Sequence, residues 1–190
     1  MARAAPRAGR DVSEAQGLAA PLILTAELPP DLHRWATQLR AMHFPPERNH
    51  LEAHVTLFHA LPAAVEDELR ALLGRLAGDH RPIPARLEGV VNLGRGTALG
   101  IASPAMLALR AIIAERFHGL LTAQDSHVPR LHITVQNKVA PAAARALREK
   151  LEAELPRRSF AFAGLALFRY RGGPWEAVRR YPFRGAGRAA

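Results

Sequence analysis

The chain has 190 residues, of which 48% are hydrophobic, so it can bury a core, and broad disorder is excluded. It contains no cysteine, which excludes disulfides, thiolate nucleophiles and cysteine-bound zinc and suits a reducing, cytoplasmic location. The net charge is +9, and no apolar run reaches the roughly 20 residues that cross a bilayer, so no membrane association is expected.

The first 20 residues are predicted to be a disordered tail, and residues 21–190 a single bilobal domain. The tail is rich in Arg and Ala but lacks the apolar segment of a secretory signal. Asp11 and Glu14 argue against a transit peptide, because such peptides are poor in acidic residues.

Strand-like and helix-like segments alternate in the first half of the domain. Residues 22–26 form a short apolar run that predicts a buried strand. Pro29, Pro30 and Asp31 then open a helix that runs to about Met42. A polar loop follows, and the pattern then predicts a strand at 51–58, a helix at 64–77, and strands at 86–93 and 97–102 joined by a turn at 94–96.

The second half repeats this order. It predicts a helix at 104–121, a strand at 131–139, a helix from 141 to before Pro156, and strands at 160–169 and 175–183. Each half thus has a helix, a polar loop, a histidine-bearing strand, a second helix and a strand. We therefore predict an internal duplication and an α+β fold with two pseudo-symmetric lobes.

Positive charge is concentrated towards the C-terminal end. From Pro156 onwards one acidic residue, Glu176, stands against eight arginines, at 157, 158, 169, 171, 179, 180, 184 and 188. An excess of this kind attracts polyanions such as RNA. Arginine is abundant throughout the chain, however, so charge alone does not decide between RNA binding and a compositional bias.

Two short strands carry the same polar pattern. Strand side chains alternate between faces, so His54 and Thr56 share one face of the first strand, opposite Val55 and other apolar residues. His132 and Thr134 share one face of the second strand in the same way. A single His-x-Thr sequence means little, but two by chance have a probability of roughly a few per cent. The matched pair therefore predicts a shared cleft.

Two facing histidines suit phosphodiester chemistry. In-line attack at phosphorus needs one group to accept a proton from the nucleophile and another to give a proton to the leaving oxygen. Histidine serves both roles, because both of its protonation states are accessible near neutrality. The hydroxyls of Thr56 and Thr134 can bind the non-bridging phosphate oxygens. Such a site needs neither a metal nor another cofactor.

The paired motifs His54-Val55-Thr56 and His132-Ile133-Thr134 resemble those of the 2H phosphoesterase superfamily. Within it, the chain most resembles the bacterial 2′-5′ RNA ligase and RNA 2′,3′-cyclic phosphodiesterase branch, over about residues 21–183. The resemblance implies two antiparallel-rich sheets flanking a central cleft, with helices outside. One departure is that many relatives have proline before each motif histidine, where this chain has Ala53 and Leu131.

The resemblance also implies an activity, the opening of a terminal 2′,3′-cyclic phosphate on RNA to a 2′-phosphate. The reverse reaction would join a 5′-hydroxyl through a 2′-5′ bond. By analogy, His132 would act as the base and His54 as the acid, although the sequence does not fix the substrate orientation.

Further residues are candidates for holding the RNA. Arg130 shares a face with His132 and could contact phosphate. Arg169 and Arg171 could hold the RNA backbone, and Tyr170, on the opposite face of the same predicted strand, could stack on a base. Packing is the favoured role for Trp175.

Three alternatives remain open. The chain could be a non-catalytic module that binds RNA or a nucleotide. It could be a metal hydrolase that uses His50, His54 or His59, although these positions lack surrounding carboxylates. It could also be a 2H enzyme for a small cyclic nucleotide, ADP-ribose cyclic phosphate or a 2′-5′ oligonucleotide. A monomer is expected, because the duplication already supplies both halves of the site.

Overall fold

The computed structural model describes residues 20–185, so the predicted tail lies outside the described residues except for Ala20. The elements in chain order are β1 (Leu22–Glu27), α1 (Pro30–His43), β2 (Val55–Leu61), α2 (Glu66–Asp79), β3 (Ile83–Asn92), β4 (Thr97–Ala102), α3 (Pro104–Arg116), β5 (His132–Gln136), α4 (Pro141–Glu154), β6 (Arg158–Phe162), β7 (Gly164–Arg169) and β8 (Glu176–Pro182). Short 3-10 turns, Pro46–Arg48 and Ala63–Val65, precede β2 and α2.

The strands form two antiparallel four-stranded sheets. One sheet has the order β2-β1-β7-β8 and the other β5-β4-β3-β6. Each histidine strand, β2 or β5, therefore lies at the edge of its own sheet. This arrangement confirms the α+β fold class and the two antiparallel sheets expected from the sequence.

Proline opens three of the four helices. Pro30, Pro104 and Pro141 each occupy the first helical turn, where proline costs no backbone hydrogen bond. At α3 the Ser103 side chain also accepts a hydrogen bond from the Met106 N–H, which caps the helix. These local signals explain why the starts of these helices could be predicted from the sequence.

The strand predicted at 160–169 is wrong, because this segment forms two strands in different sheets. β6 pairs with β3, whereas β7 pairs with β1 and β8. The chain changes sheet at Ala163, and a Cβ on the next residue, Gly164, would lie 2.5 Å from the Tyr181 carbonyl oxygen. Both strands are apolar, so the pattern could not reveal the change.

Three other predicted elements have different boundaries in the structure. β2 starts four residues later than predicted and extends to Leu61, while β5 spans only His132–Gln136. Lys138 takes a positive φ of 56°, which ends the extended conformation beyond β5. α3 ends at Arg116 rather than near residue 121, shortly before Gly119 with a φ of 82°.

A single apolar core joins the two sheets. Buried residues of β1, β2, β4 and β5, such as Leu24, Val55, Leu99 and Ile133, belong to one contiguous cluster. α1 packs against β5, the histidine strand of the other sheet. The two sheets are therefore held in a fixed relationship.

Within residues 20–185, no helix combines the length and the apolar character that crossing a membrane requires.

Candidate active site

The two histidine strands, β2 and β5, contact each other although they belong to different sheets. His54 immediately precedes β2, and His132 is the first residue of β5. The histidines and threonines are half-buried and alternate with fully buried aliphatic residues such as Val55 and Ile133. The predicted alternation of faces around both motifs is thus present in the structure.

Both imidazole rings are held in the same way. His54 Nδ1–H donates to the Glu52 carbonyl oxygen at 2.8 Å, and His132 Nδ1–H donates to the Arg130 carbonyl oxygen at 2.7 Å. A carbonyl oxygen can only accept, so in each ring the proton is placed on Nδ1. Nε2 is therefore the nitrogen available for proton transfer: it accepts a proton when the ring is neutral and donates one when the ring is protonated.

Trp175 covers His54. The centroids of the two rings are 4.6 Å apart, and Phe168 packs on the indole at 5.5 Å. Burial of this kind disfavours the charged imidazolium and lowers the pKa of His54 to about 4, with smaller contributions from the positive charges of Arg40, His132 and His59. His54 is therefore neutral at pH 7.

This environment predicts an unusual titration of His54. In an NMR titration, the ring signal that disappears in His54→Gln should have a midpoint near pH 4. Trp175→Ala should raise that midpoint, because water then reaches the imidazole and solvates its charged form. A midpoint that is the same in both proteins would show that Trp175 does not control the solvation of His54.

Two cavities lie beside the histidines, one beside each, and we call the two together the cleft. The cavity on the His54 side, of about 430 Å³, is lined by aromatic and acidic residues that include Phe168, Trp175, Glu27 and Glu52. The cavity on the His132 side, of about 500 Å³, is lined by Thr134, Arg130 and several further polar residues. The structure therefore brings Arg130, His132 and Thr134 together, as the sequence predicted.

Arg40 links both motif segments from α1. Arg40 is only 4% exposed. Its Nε donates to Asn49 Oδ1 (2.8 Å) and to the Leu51 carbonyl oxygen (3.0 Å), and its Nη1 donates to the Thr134 carbonyl oxygen (2.9 Å). One guanidinium thus ties the loop before His54 to the strand that carries His132. Sequence reasoning missed this residue, because an arginine on a helix is usually exposed.

Arg169 and Arg171, the two late arginines predicted to hold RNA, both form ion pairs. On β7, Ala166 and Phe168 face the His54-side cavity, while Arg169 points to the opposite side and binds Glu66 of α2 and Glu176. Arg171 lies beyond the strand and is also paired with Glu176. Neither arginine is among the described residues that line the two cavities. The alternation predicted for residues 169–171 on one strand is wrong, because β7 ends at Arg169.

Tyr170 follows β7 in a turn and is 43% exposed. Its backbone N–H donates to the Pro21 carbonyl, but the ring does not line either cavity. Trp175, for which packing is the favoured role, does line the cavity beside His54, together with Phe168. Tyr170 and Trp175 are separated by a short glycine-containing turn whose path the sequence pattern does not determine.

The part of the chain described, residues 20–185, contains no group of three or more His, Cys, Asp or Glu side chains placed to hold a metal ion. His50 and His54 line the cavity beside Trp175, whereas His59 lies in the other cavity. The metal-hydrolase alternative therefore lacks a ligand set among these residues.

Two antiparallel sheets that each carry a histidine strand at one edge define the fold of the 2H phosphoesterases. The family model described as the 2′-5′ RNA ligase superfamily matches residues 28–174. The chain belongs to this superfamily and is a phosphoesterase-type enzyme.

Solved structures show the same fold at low sequence identity. TT0787 of Thermus thermophilus is 20% identical, with a TM-score of 0.61, and the match covers 87% of this chain and 99% of that one. E. coli LigT complexed with NADP+ is 20% identical, with a TM-score of 0.60 and coverage of 87% and 98%. A search of curated proteins gave no match to this chain.

Proposed function

We propose that this protein hydrolyses the terminal 2′,3′-cyclic phosphate of RNA to a 2′-phosphate. The observation that carries the proposal is the matched setting of His54 and His132. Each ring is fixed through Nδ1 to a carbonyl oxygen, each lines one of the two cavities, and the strands β2 and β5 contact each other. A cyclic phosphate between the two Nε2 atoms would have a base on one side and an acid on the other.

The burial of His54 favours it as the base. A histidine with a pKa of about 4 is neutral at pH 7 and can take the proton of the attacking water. As the new P–O bond forms, the bond from phosphorus to the 3′-oxygen breaks, and His132 gives its Nε2 proton to that oxygen. This assignment reverses the one suggested by resemblance. In the ligation direction the two roles exchange.

Threonine and arginine would hold the phosphate. Thr134 and Arg130 line the cavity beside His132, and Thr56 lies two residues after His54 on the same face. Hydroxyl donors aimed at the non-bridging oxygens stabilise the charge that develops during attack. The protein similar in fold, E. coli LigT, has been crystallised with 3′-AMP and with phosphate, which supports a nucleotide-binding cleft here.

RNA is the proposed substrate, although the C-terminal arginines support it less than their number suggests. Within the described residues, Arg158, Arg169, Arg171 and Arg180 are each paired with a carboxylate. Arg188 lies outside the described residues. These four arginines are therefore partly neutralised by their carboxylate partners. A cytoplasmic monomer remains the expectation from the sequence.

The proposal is tested with a short RNA that ends in a 2′,3′-cyclic phosphate, incubated with the purified protein in EDTA. We expect a product with a 2′-phosphate and a free 3′-hydroxyl, identified by mass spectrometry and by resistance to a 3′-phosphate-specific phosphatase. A 3′-phosphate product would mean that the opposite ester bond is cleaved. Folded protein that binds this RNA without turnover would instead support the binding-module alternative.

A further inference from the structure

A third histidine, His59, lies in the cleft because of an irregularity in β2. Thr25 of β1 pairs with Thr56, but the preceding Leu24 pairs with Phe58, so β2 has one extra residue at this point. Such a bulge reverses the alternation of side chains along the strand. Phe58 is consequently buried, while His59 lines the same cavity as His132.

A buried carboxylate holds the His59 ring. Asp125 is 1% exposed, and its oxygens accept from the backbone N–H groups of His59 (2.9 and 3.0 Å) and Ala60 (2.9 Å) and from His59 Nδ1–H (3.1 Å). Burial raises the pKa of Asp125, but the hydrogen bonds from the His59 side chain and these backbone groups outweigh it, so the pKa lies below its usual value. Asp125 is thus a fixed anion.

The loop that carries Asp125 is itself anchored. Arg110 of α3 donates to the Asp125 carbonyl oxygen and, from Nε, to the Leu57 carbonyl at 2.9 Å. Its guanidinium also lies over the Phe58 ring, 4.3 Å from the centroid. Strand, loop and carboxylate therefore form one rigid support, which leaves His59 Nε2 as the free nitrogen of a side chain that is 44% exposed.

The charge of this cavity suits a second anionic group. Its described lining includes His59, His127, His132 and Arg130, and Asp125, with its oxygens occupied, is its one carboxylate. The cavity beside His54 also contains three histidines, but it is less positive, because Glu27 and Glu52 stand there against the single arginine Arg180. Phosphate groups beyond the reacting one are therefore expected on the His132 side.

We propose that His59, held by Asp125, binds the phosphate that joins the terminal nucleotide to the rest of the RNA on its 5′ side. This inference rests on the proposed function, which places the cyclic phosphate between His54 and His132. Thr56 and His59 are about 10 Å apart along the strand, so His59 is far enough from Thr56 to contact a phosphate other than the reacting one. In the complex, the imidazolium would lie between the Asp125 carboxylate and the RNA phosphate and donate to both.

The test compares two probes that differ only in a 5′-phosphate, adenosine 2′-phosphate and adenosine 2′,5′-bisphosphate. Calorimetry should show that the wild-type protein binds the bisphosphate more tightly. His59→Gln should reduce that preference about tenfold, because a charge-assisted hydrogen bond to the 5′-phosphate is lost. His59→Arg, which restores a cation, should recover most of it, and His118→Gln, an exposed histidine after α3, should leave it unchanged.

Equal weakening of both probes by His59→Gln would overturn the proposal, as would an unchanged preference. Because the readout is binding, it stays informative if the RNA is not hydrolysed. Absence of turnover in the wild-type protein would count against the proposed function, whereas loss of 5′-phosphate preference reports on His59 alone.

Discussion

Replacing either His54 or His132 with alanine is expected to lower kcat on a cyclic-phosphate RNA about 10²–10⁴-fold, with the protein still folded. In the proposed step, His54 would accept a proton from water while His132 would give a proton to the leaving oxygen. The double variant should be only slightly slower than the slower single one, because removing either group already disables the concerted transfer. Single-turnover assays at neutral pH measure this directly.

His118→Ala serves as the matched control, because this histidine is exposed at the end of α3 and outside the cleft. Its kcat should equal that of the wild-type protein. Circular dichroism and melting curves would establish that the His54 and His132 variants are folded. If one of the two variants kept most of its activity, acid–base catalysis by both histidines would be ruled out, even though the fold is that of a 2H phosphoesterase.

The strand motifs could be predicted because local pattern and tertiary role agree there. Val55 and Ile133 are apolar and buried, and the residues on either side of each are polar. Because strand side chains alternate between faces, this pattern predicts which face of each strand lies towards the core and which towards the cleft. Helix starts were equally predictable from proline. Both signals depend on residues within a few positions of each other in the sequence.

Features that depend on long-range pairing could not be predicted. The bulge that turns His59 into the cleft exists only in the pairing of β2 with β1, and the change of sheet at Ala163 exists only in the pairing of β6 and β7 with different partners. The ion pair of Arg169 with Glu66 likewise joins residues that are far apart in the sequence. Charge and periodicity in the sequence do not indicate which distant residues will pair.

Arg40 also has a partner that is distant in the sequence. Three acceptors from two segments, Asn49 and Leu51 in the loop before His54 and Thr134 in β5, converge on its buried guanidinium. α1 also holds Ala53, whose N–H donates to Thr37 Oγ1 at 3.1 Å. Replacement of Arg40 by an apolar side chain would leave these part-buried acceptors without its donors.

We therefore expect Arg40→Met to lower the free energy of unfolding by at least about 3 kcal/mol, since each orphaned acceptor costs about 1–3 kcal/mol. Urea unfolding measures this loss. Arg34→Met, an exposed position on the same helix, should change stability by no more than about 0.5 kcal/mol. Arg40→Lys should fall between the two, because a single ammonium cannot reproduce the fork of donors that spans both segments. Equal stability of the Arg40 and Arg34 variants would mean that solvent or rearrangement satisfies the acceptors, and that α1 does not fix the two histidine segments relative to each other.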